Sequence, residues 1–164
     1  MSADVTHLPR KRGSDTLVLD DYLPYRLSIA SNGVSGLIAR AYQDRFGLTI
    51  PQWRLMAVLA EDPLTPQALV ARTAMDKVTV SRAAQGLVTR NLVARTASPS
   101  DGRSHSLSLT ETGRRLHGEI APLALAYEAA LLTGLAPADV VLLKRLLARL
   151  EAAAARLSGE APTR

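Results

Sequence analysis

Residues 65–91 read TPQALVARTAMDKVTVSRAAQGLVTRN and predict two helices joined by a tight turn. The Thr-Pro pair at the start combines a capping hydroxyl with a proline in the first turn, which predicts a short helix over about 65–73. A second helix is expected over about 76–90, where Asn91 suits a left-handed exit. Two short helices joined at residues 74–75 are typical of a helix-turn-helix, whose second helix enters the major groove of DNA.

The segment after these helices changes to the alternating pattern of strands. Residues 92–96 can form a short strand, and residues 106–109 alternate polar with apolar side chains, as a half-buried strand does. Between them, residues 97–105 contain proline, aspartate and glycine, which favour turns. We therefore predict a two-stranded hairpin with an extended basic tip, directly after the helix-turn-helix.

Upstream of this unit, the sequence predicts two more helices. Asp20 or Asp21 can cap a long helix whose apolar residues recur in steps of three and four, and Gly47 ends it. A capping box with the spacing Thr-x-x-Gln at residues 49–52 then starts a helix that stops before Pro63.

Downstream of the hairpin, Thr110 can cap a long helix whose apolar face ends at Leu131 or Ala130. A last helix after Pro137 carries a narrow apolar seam of the kind that usually packs against another helix. The seam consists of Val140, Leu143, Leu147, Leu150, Ala154 and Leu157.

The positive charge of the chain is concentrated in about a third of its length. Residues 63–115 hold eight basic and three acidic residues, a formal charge of +5, whereas the two types balance in the rest of the chain. A basic segment in an otherwise balanced chain indicates a polyanionic partner. A solvated basic surface without a partner fits the same charges.

Polar and basic side chains in this segment are of the types that contact phosphates and base edges. Arg103 can enter a narrow minor groove, and Asp101 can orient its guanidinium by a bidentate pair. A surface turn in which Asp101 only caps Gly102 is the alternative. The candidate DNA-binding residues are Thr65, Gln67, Lys77, Thr79, Ser81, Arg82, Gln85, Arg95, Asp101 and Arg103.

Several linked motifs resemble those of MarR transcriptional regulators. Residues 101–103, Asp-Gly-Arg, and 109–113, Leu-Thr-Glu-Thr-Gly, resemble the Asp-x-Arg and Leu-Thr-x-x-Gly signature of that family. Residues 75–82 resemble its recognition helix, although Asn91 stands where the family more often has Gly. The resemblance spans about residues 20–158.

The resemblance implies a homodimer whose terminal helices interlock and whose two winged lobes grip a palindromic DNA operator. It implies a repressor released by a small aromatic or phenolic acid or its CoA thioester. Contacts to DNA carried over from the family are those of Thr79, Ser81, Arg82 and Arg103.

The predicted fold is mainly α-helical with a small β-hairpin wing, a winged helix-turn-helix with flanking dimerisation helices. We expect a flexible arm over 1–19, this domain over 20–158 and a tail over 159–164. Within the domain, the DNA-binding lobe is expected at about 50–113, and the dimerisation helices at about 20–46 and 111–158.

A polar stripe beside the apolar face of the first helix is a candidate ligand site. Gly33 and Gly36 could leave room for a ligand there, with an arginine for a carboxylate and Trp53 for stacking. Alternatively, the glycines permit close helix packing and the serines face water. The candidate ligand-binding residues are Arg26, Ser28, Asn32, Ser35, Arg40 and Trp53.

Enzyme chemistry is not indicated by the sequence. The chain has no cysteine, and His7, His105 and His117 lack the spacing of metal ligands. No nucleophile elbow or phosphate loop occurs, so we expect neither catalytic residues nor a cofactor or metal. Because no signal peptide or long apolar run is present, a cytoplasmic protein without membrane contact is expected.

Two other functions fit parts of the sequence. One is an architectural or constitutive DNA-binding protein without an effector, against which the polar stripe argues. The other is a helical protein-interaction module whose basic hairpin binds an acidic protein, against which the shape of the predicted wing argues.

Overall fold

A computed structural model describes residues 16–97 and 105–159. In chain order the elements are a 3-10 helix at Leu19–Asp21, α1 at Leu23–Phe46, α2 at Ile50–Glu61, α3 at Pro66–Thr73, α4 at Lys77–Thr89, β1 at Val93–Ala97, β2 at His105–Leu109, α5 at Glu111–Leu132 and α6 at Pro137–Leu157. The described part is therefore mainly α-helical with one antiparallel hairpin, as predicted.

The chain forms two compact units, and the boundary between them falls within α1. The larger unit spans residues 34–134 and holds the second part of α1, α2 to α5 and the hairpin. The smaller unit holds the described residues up to Gly33 and from Leu135 onward, which include the start of α1 and all of α6.

Short polar side chains cap four helices of the larger unit, and the caps at Thr49, Thr65 and Thr110 were predicted. The Thr49 side chain accepts the backbone N–H of Gln52, whose own side chain accepts the N–H of Thr49, which completes the capping box. Thr65, Asp76 and Thr110 each accept the backbone N–H three residues further on. Each such cap stabilises its helix by about 1 kcal/mol, so the helix starts are set locally.

Three residues of the larger unit leave helices in the left-handed conformation. Gly47 and Asn91 do so with φ of 61° and 54°, and this conformation was predicted for Asn91. Ala74, with φ 52°, makes the turn between α3 and α4. An alanine carries no sequence signal for this conformation, because its methyl group disfavours it.

The hydrophobic core lies in the larger unit and is centred on α2, which packs against α3, α4, α5 and β2. Its buried side chains are Tyr42, Leu48, Leu55, Met56, Leu59, Leu69, Val80, Ala83, Ala84, Leu87, Leu92, Val93, Leu107, Leu109 and Ile120. Because α4 is held on this core along one side, its other side is presented to solvent.

The first strand of the hairpin is shifted by one residue from its predicted position, and the second begins one residue earlier than predicted. β1 begins at Val93 because the N–H of Leu92 is still donated to Leu87 O at the exit of α4. An additional bridge, not predicted, joins Leu107 of β2 to Leu64 between α2 and α3, with N···O distances of 2.8 and 3.0 Å. The base of the wing is therefore tied to the start of the helix-turn-helix.

Other differences from the prediction occur near the ends of the long helices. Asp20 and Asp21 belong to the 3-10 helix and do not cap α1, because Tyr22 has extended backbone between the two elements. Leu131 and Ala130, the alternatives expected at the end of the apolar face of α5, are both exposed. Of the predicted arm and tail, residues 1–15 and 160–164 lie outside the described residues, as do hairpin residues 98–104.

The first turn of α5 lies unusually close to the end of α4. Thr110 N–H donates to Leu92 O at 3.1 Å, and the Thr110 hydroxyl donates to Asn91 O at 2.7 Å. A Cβ atom added to Gly113 would lie 2.0 Å from Leu92 O, a backbone atom. Any side chain at position 113 must therefore push α5 away from this junction.

Gly113→Ala should accordingly lower the free energy of unfolding by about 1–3 kcal/mol or more, since it overpacks a buried site. The matched control is Gly118→Ala in the same helix, where an added Cβ meets no described atom within 4 Å. That variant should raise the free energy of unfolding by about 0.5–1 kcal/mol, because alanine is the better helix former. Urea denaturation followed by circular dichroism measures both, and equal effects would contradict the close approach.

Candidate functional site

The exposed side of α4 forms the centre of the candidate site. Val80, Ala83, Ala84 and Leu87 are buried toward α2 and α3. The side chains that this leaves exposed on α4 include Lys77, Val78, Ser81, Arg82 and Gln85. Four of these five were predicted to contact DNA, and their hydrogen-bonding and cationic groups suit phosphates and base edges.

Val78 was not among the predicted site residues, although its side chain is 58% exposed in the first turn of α4. An apolar side chain at this position can contact the methyl group of thymine in the major groove. Sequence patterns alone do not reveal this position, because a valine in a helix is more often part of the core.

The start of α4 is fixed by Asp76 and Thr79. The carboxylate of Asp76 accepts the backbone N–H of Thr79 at 2.9 Å and its hydroxyl at 2.5 Å. These hydrogen bonds from Thr79 lower the pKa of Asp76. Because the hydroxyl hydrogen of Thr79 is donated to Asp76, this side chain presents only acceptor capacity to other groups.

A cleft of about 790 Å³ lies between α3, α4 and the hairpin. Half of the predicted DNA-binding residues line it: Thr65, Gln67, Lys77, Ser81 and Arg95. His105 adds a further polar side chain, and the floor is apolar, from Val70, Val80, Ala84 and Leu107 among others. The structure thus brings residues of three elements together along one surface.

Arg95 and Gln85 are joined across the edge of this surface. The Arg95 guanidinium of β1 donates to the side-chain oxygen of Gln85 on α4 at 3.0 Å. The hairpin and the recognition helix therefore orient each other's polar side chains. Thr65 is also the cap of α3, so its oxygen serves the fold while its hydroxyl hydrogen remains available. Asp101 and Arg103, predicted at the wing tip, lie outside the described residues.

Not every cation of the basic segment faces the cleft. Arg72 forms an ion pair with Glu61 of α2. Arg90 donates to two backbone carbonyls at the end of α1. The charge count of the sequence could not separate these two arginines from the exposed Lys77 and Arg82.

The candidate ligand residues divide between the two units. Arg26, Ser28 and Asn32 are exposed in the smaller unit, whereas Ser35, Arg40 and Trp53 belong to the larger one. Within the larger unit Ser35 and Trp53 are half-buried, and the exposed Arg40 donates to Gly36 O of its own helix at 3.4 Å.

Trp53 lies in an aromatic cluster that sequence reasoning did not anticipate. Its ring is stacked on His117 of α5, with centroids 5.5 Å apart, and is tilted against Tyr42 of α1 at 5.1 Å. Burial lowers the pKa of His117 and so favours its neutral imidazole. Burial, and then the neighbouring Tyr127, raise the pKa of Tyr42.

The Tyr42 hydroxyl is the unusual atom of this aromatic cluster. The side chain is 1% exposed, and its hydroxyl has no hydrogen-bond partner among the residues that the structure describes. A buried polar group without a partner destabilises a protein by about 1–3 kcal/mol, so such groups normally bind water or a ligand.

Neither a metal centre nor a membrane span is found in the described ranges. No group of three or more His, Asp or Glu residues in 16–97 and 105–159 is placed to hold a metal ion. No helix among these residues is both long and apolar enough to cross a membrane.

A helix-turn-helix followed by a two-stranded hairpin, with a polar and cationic outer face on its second helix, defines a winged helix-turn-helix DNA-binding protein. Residues 46–104 match the family model of the MarR family. A probable transcriptional regulator from Pseudomonas aeruginosa is 33% identical, with 81% of this chain and 99% of that one covered and a TM-score of 0.72. The chain belongs to the MarR family of transcriptional regulators, which are not enzymes.

Two further solved structures share the fold. A MarR/EmrR family regulator from Acinetobacter sp. ADP1 is 23% identical, with 85% of this chain and 99% of that one covered and a TM-score of 0.80. BpsR of Bordetella bronchiseptica, whose DNA binding is described as regulated by 6-hydroxynicotinic acid, is 26% identical, with coverages of 82% and 96% and a TM-score of 0.75. No protein with a curated description matches the chain.

Arg82→Ala should weaken binding to a DNA site selected from a random library by about 1–3 kcal/mol and relax the preference at one base position. Arg54→Ala is the matched control, because Arg54 is exposed on α2 and its side chain makes no hydrogen bond or ion pair with the described part of the chain. Fluorescence anisotropy gives the affinities and repeated selection gives the preference. Equal affinities for Arg82→Ala and the parent protein would exclude Arg82 from the interface.

Proposed function

We propose that the chain is a homodimeric, sequence-specific repressor that binds a palindromic operator in the cytoplasm and is released by a small aromatic acid. The observation that carries the DNA-binding part is the outer face of α4 beside the hairpin cleft. This face exposes Arg82, which can read guanine by bidentate hydrogen bonds, Gln85, whose side-chain amide can donate to a base edge while its oxygen accepts from Arg95, and Val78, which suits thymine. An architectural binder needs only phosphate contacts and shape, so base-reading side chains favour sequence-specific recognition.

The proposal of a homodimer is supported by the apolar surface of α6. The leucines of the predicted seam remain exposed in the single chain, with Leu147 37% and Leu157 78% accessible. Leu142 and Leu146 widen the seam to a band along one side of the helix. Such a band is typical of a protein interface rather than of a free surface. A second copy of the chain can cover it and place two recognition helices on successive major grooves.

Leu147→Glu should therefore convert the protein to monomers and reduce operator affinity at least tenfold, because a charge in an apolar interface loses its hydration without a partner. Ala148→Glu is the matched control, since it adds the same charge to an exposed position beside the band. Sedimentation velocity measures the mass of each variant. A dimeric Leu147→Glu protein with unchanged operator affinity would contradict the assignment of α6.

The proposal of an effector is supported by the cluster of Tyr42, Trp53 and His117. The Tyr42 hydroxyl, which has no partner among the described residues, offers a buried hydrogen bond, and the half-buried rings of Trp53 and His117 lie beside it. An aromatic acid carries both a ring and polar oxygen atoms, so it matches this pair of groups. Trp53 was predicted as a ligand residue, and we extend that site to Tyr42 and His117. The related BpsR responds to an aromatic acid, 6-hydroxynicotinic acid, which supports the same chemical class here.

Tyr42→Phe distinguishes a ligand site from simple packing. It removes a hydroxyl that has no described partner, so the protein should be as stable as the parent or more stable. Binding of aromatic acids should nevertheless weaken by about 0.5–1.5 kcal/mol, the contribution of one hydrogen bond. Tyr25→Phe, at an exposed tyrosine of α1, should change neither quantity.

The measurement is calorimetric titration of 6-hydroxynicotinic acid, hydroxybenzoates, hydroxycinnamates and their CoA thioesters, with and without operator DNA. Linkage requires that the operator weakens ligand binding by the same factor by which the ligand weakens operator binding. If no compound binds, or if affinity is the same with and without DNA, the effector site is wrong and a constitutive DNA binder becomes the better description.

A further inference from the structure

Arg90 occupies the position that directly follows the recognition helix α4, as its C-terminal cap residue. Its side chain turns away from the helix and reaches the end of α1, 43 residues earlier in the chain. One Nη atom donates to Gly47 O at 2.8 Å and the other donates to Phe46 O at 2.9 Å. Both distances are typical of charge-assisted hydrogen bonds.

The two carbonyls that Arg90 binds need partners from outside their helix. At the exit of α1, the N–H groups of Gly47 and Leu48 return to the carbonyls of Gln43 and Tyr42. The carbonyls of Phe46 and Gly47 follow these and are beyond the reach of the helix's own N–H groups. A cation there also opposes the partial negative charge at the C-terminal end of the helix. The guanidinium therefore completes the end of α1.

We propose that Arg90 is a positioning residue for DNA recognition, which fixes the end of α4 against the end of α1 and does not contact phosphate. This inference rests on the DNA-binding function of α4. A phosphate contact would have to break two charge-assisted hydrogen bonds, because both Nη atoms are already committed to carbonyls. The contribution of Arg90 to DNA binding is thus the orientation of α4, although it belongs to the basic segment.

The salt dependence of binding separates these two roles. Removing one cation that binds a phosphate reduces the slope of log affinity against log salt by about 0.9, whereas a misplaced helix lowers affinity at every salt concentration. Arg90→Gln should weaken operator binding by about tenfold, the equivalent of one charge-assisted hydrogen bond, with an unchanged salt slope. Arg90→Lys keeps the charge but lacks the planar fork, so its affinity should fall between those of the parent and Arg90→Gln.

Arg54→Gln is the matched control for the removal of charge, since Arg54 is exposed on α2, outside the proposed interface. It should leave the affinity within twofold of the parent. Hydrogen exchange provides a readout that needs no DNA: the amides of Gly47 and Leu48 should exchange faster in Arg90→Gln than in Arg54→Gln, because the end of α1 no longer has its cap.

Fluorescence anisotropy at four or more salt concentrations decides the question. A salt slope reduced by about 0.9 per subunit in Arg90→Gln would assign Arg90 to a phosphate and overturn the proposal. An affinity of Arg90→Gln within twofold of the parent protein would overturn the proposal as well. If Arg90→Gln does not unfold cooperatively, Arg90→Lys decides alone: weaker binding at the parent slope supports the proposal, and parent affinity overturns it. If the parent protein and Arg54→Gln both fail to bind the operator, the proposed DNA-binding function is wrong, which is a different outcome from the failure of the Arg90 proposal.

Discussion

The backbone carbonyl of Leu92 and the first turn of α5 lie so close together that only a glycine fits at position 113. Within three residues of this contact, α4 ends, Asn91 turns the chain through the left-handed conformation and β1 begins. Thr110 bonds to the same stretch, so α5 and β2 also meet there. This junction therefore links the direction of the wing to that of α4.

Features that depend on a few neighbouring residues could be predicted from the sequence. The caps at Thr49, Thr65 and Thr110 act over three residues, and their helices start where these caps predict. The cap predicted at Asp20 or Asp21 does not form, because both residues belong to the 3-10 helix. Features that join distant segments could not be predicted in this way. The Leu64–Leu107 bridge is one example, because nothing in either leucine distinguishes a pairing residue from a core residue.

In the candidate site, too, features set by neighbouring residues could be predicted and features that join distant segments could not. The outer face of α4 could be predicted except at Val78, because helical periodicity separates most of its buried positions from its exposed ones. Which arginines are bound within the protein could not be predicted. Arg72 pairs with Glu61 of α2 and Arg90 binds carbonyls at the end of α1, and both contacts depend on helices elsewhere in the chain. The aromatic cluster was found only in part: Trp53 was predicted, whereas Tyr42 and His117 come from two other helices and carry no motif.

The division of α4 into a packed side and a solvent side also bears on how regulators of this kind diverge. Val80, Ala84 and Leu87 hold the helix on the core, and Asp76 holds its start through Thr79. Substitutions at the exposed positions 77, 78, 81 and 82 therefore disturb little of the packing that keeps the protein folded. After gene duplication, a copy of a MarR-family chain built in this way can change the exposed side of this single helix while the packed scaffold is inherited intact.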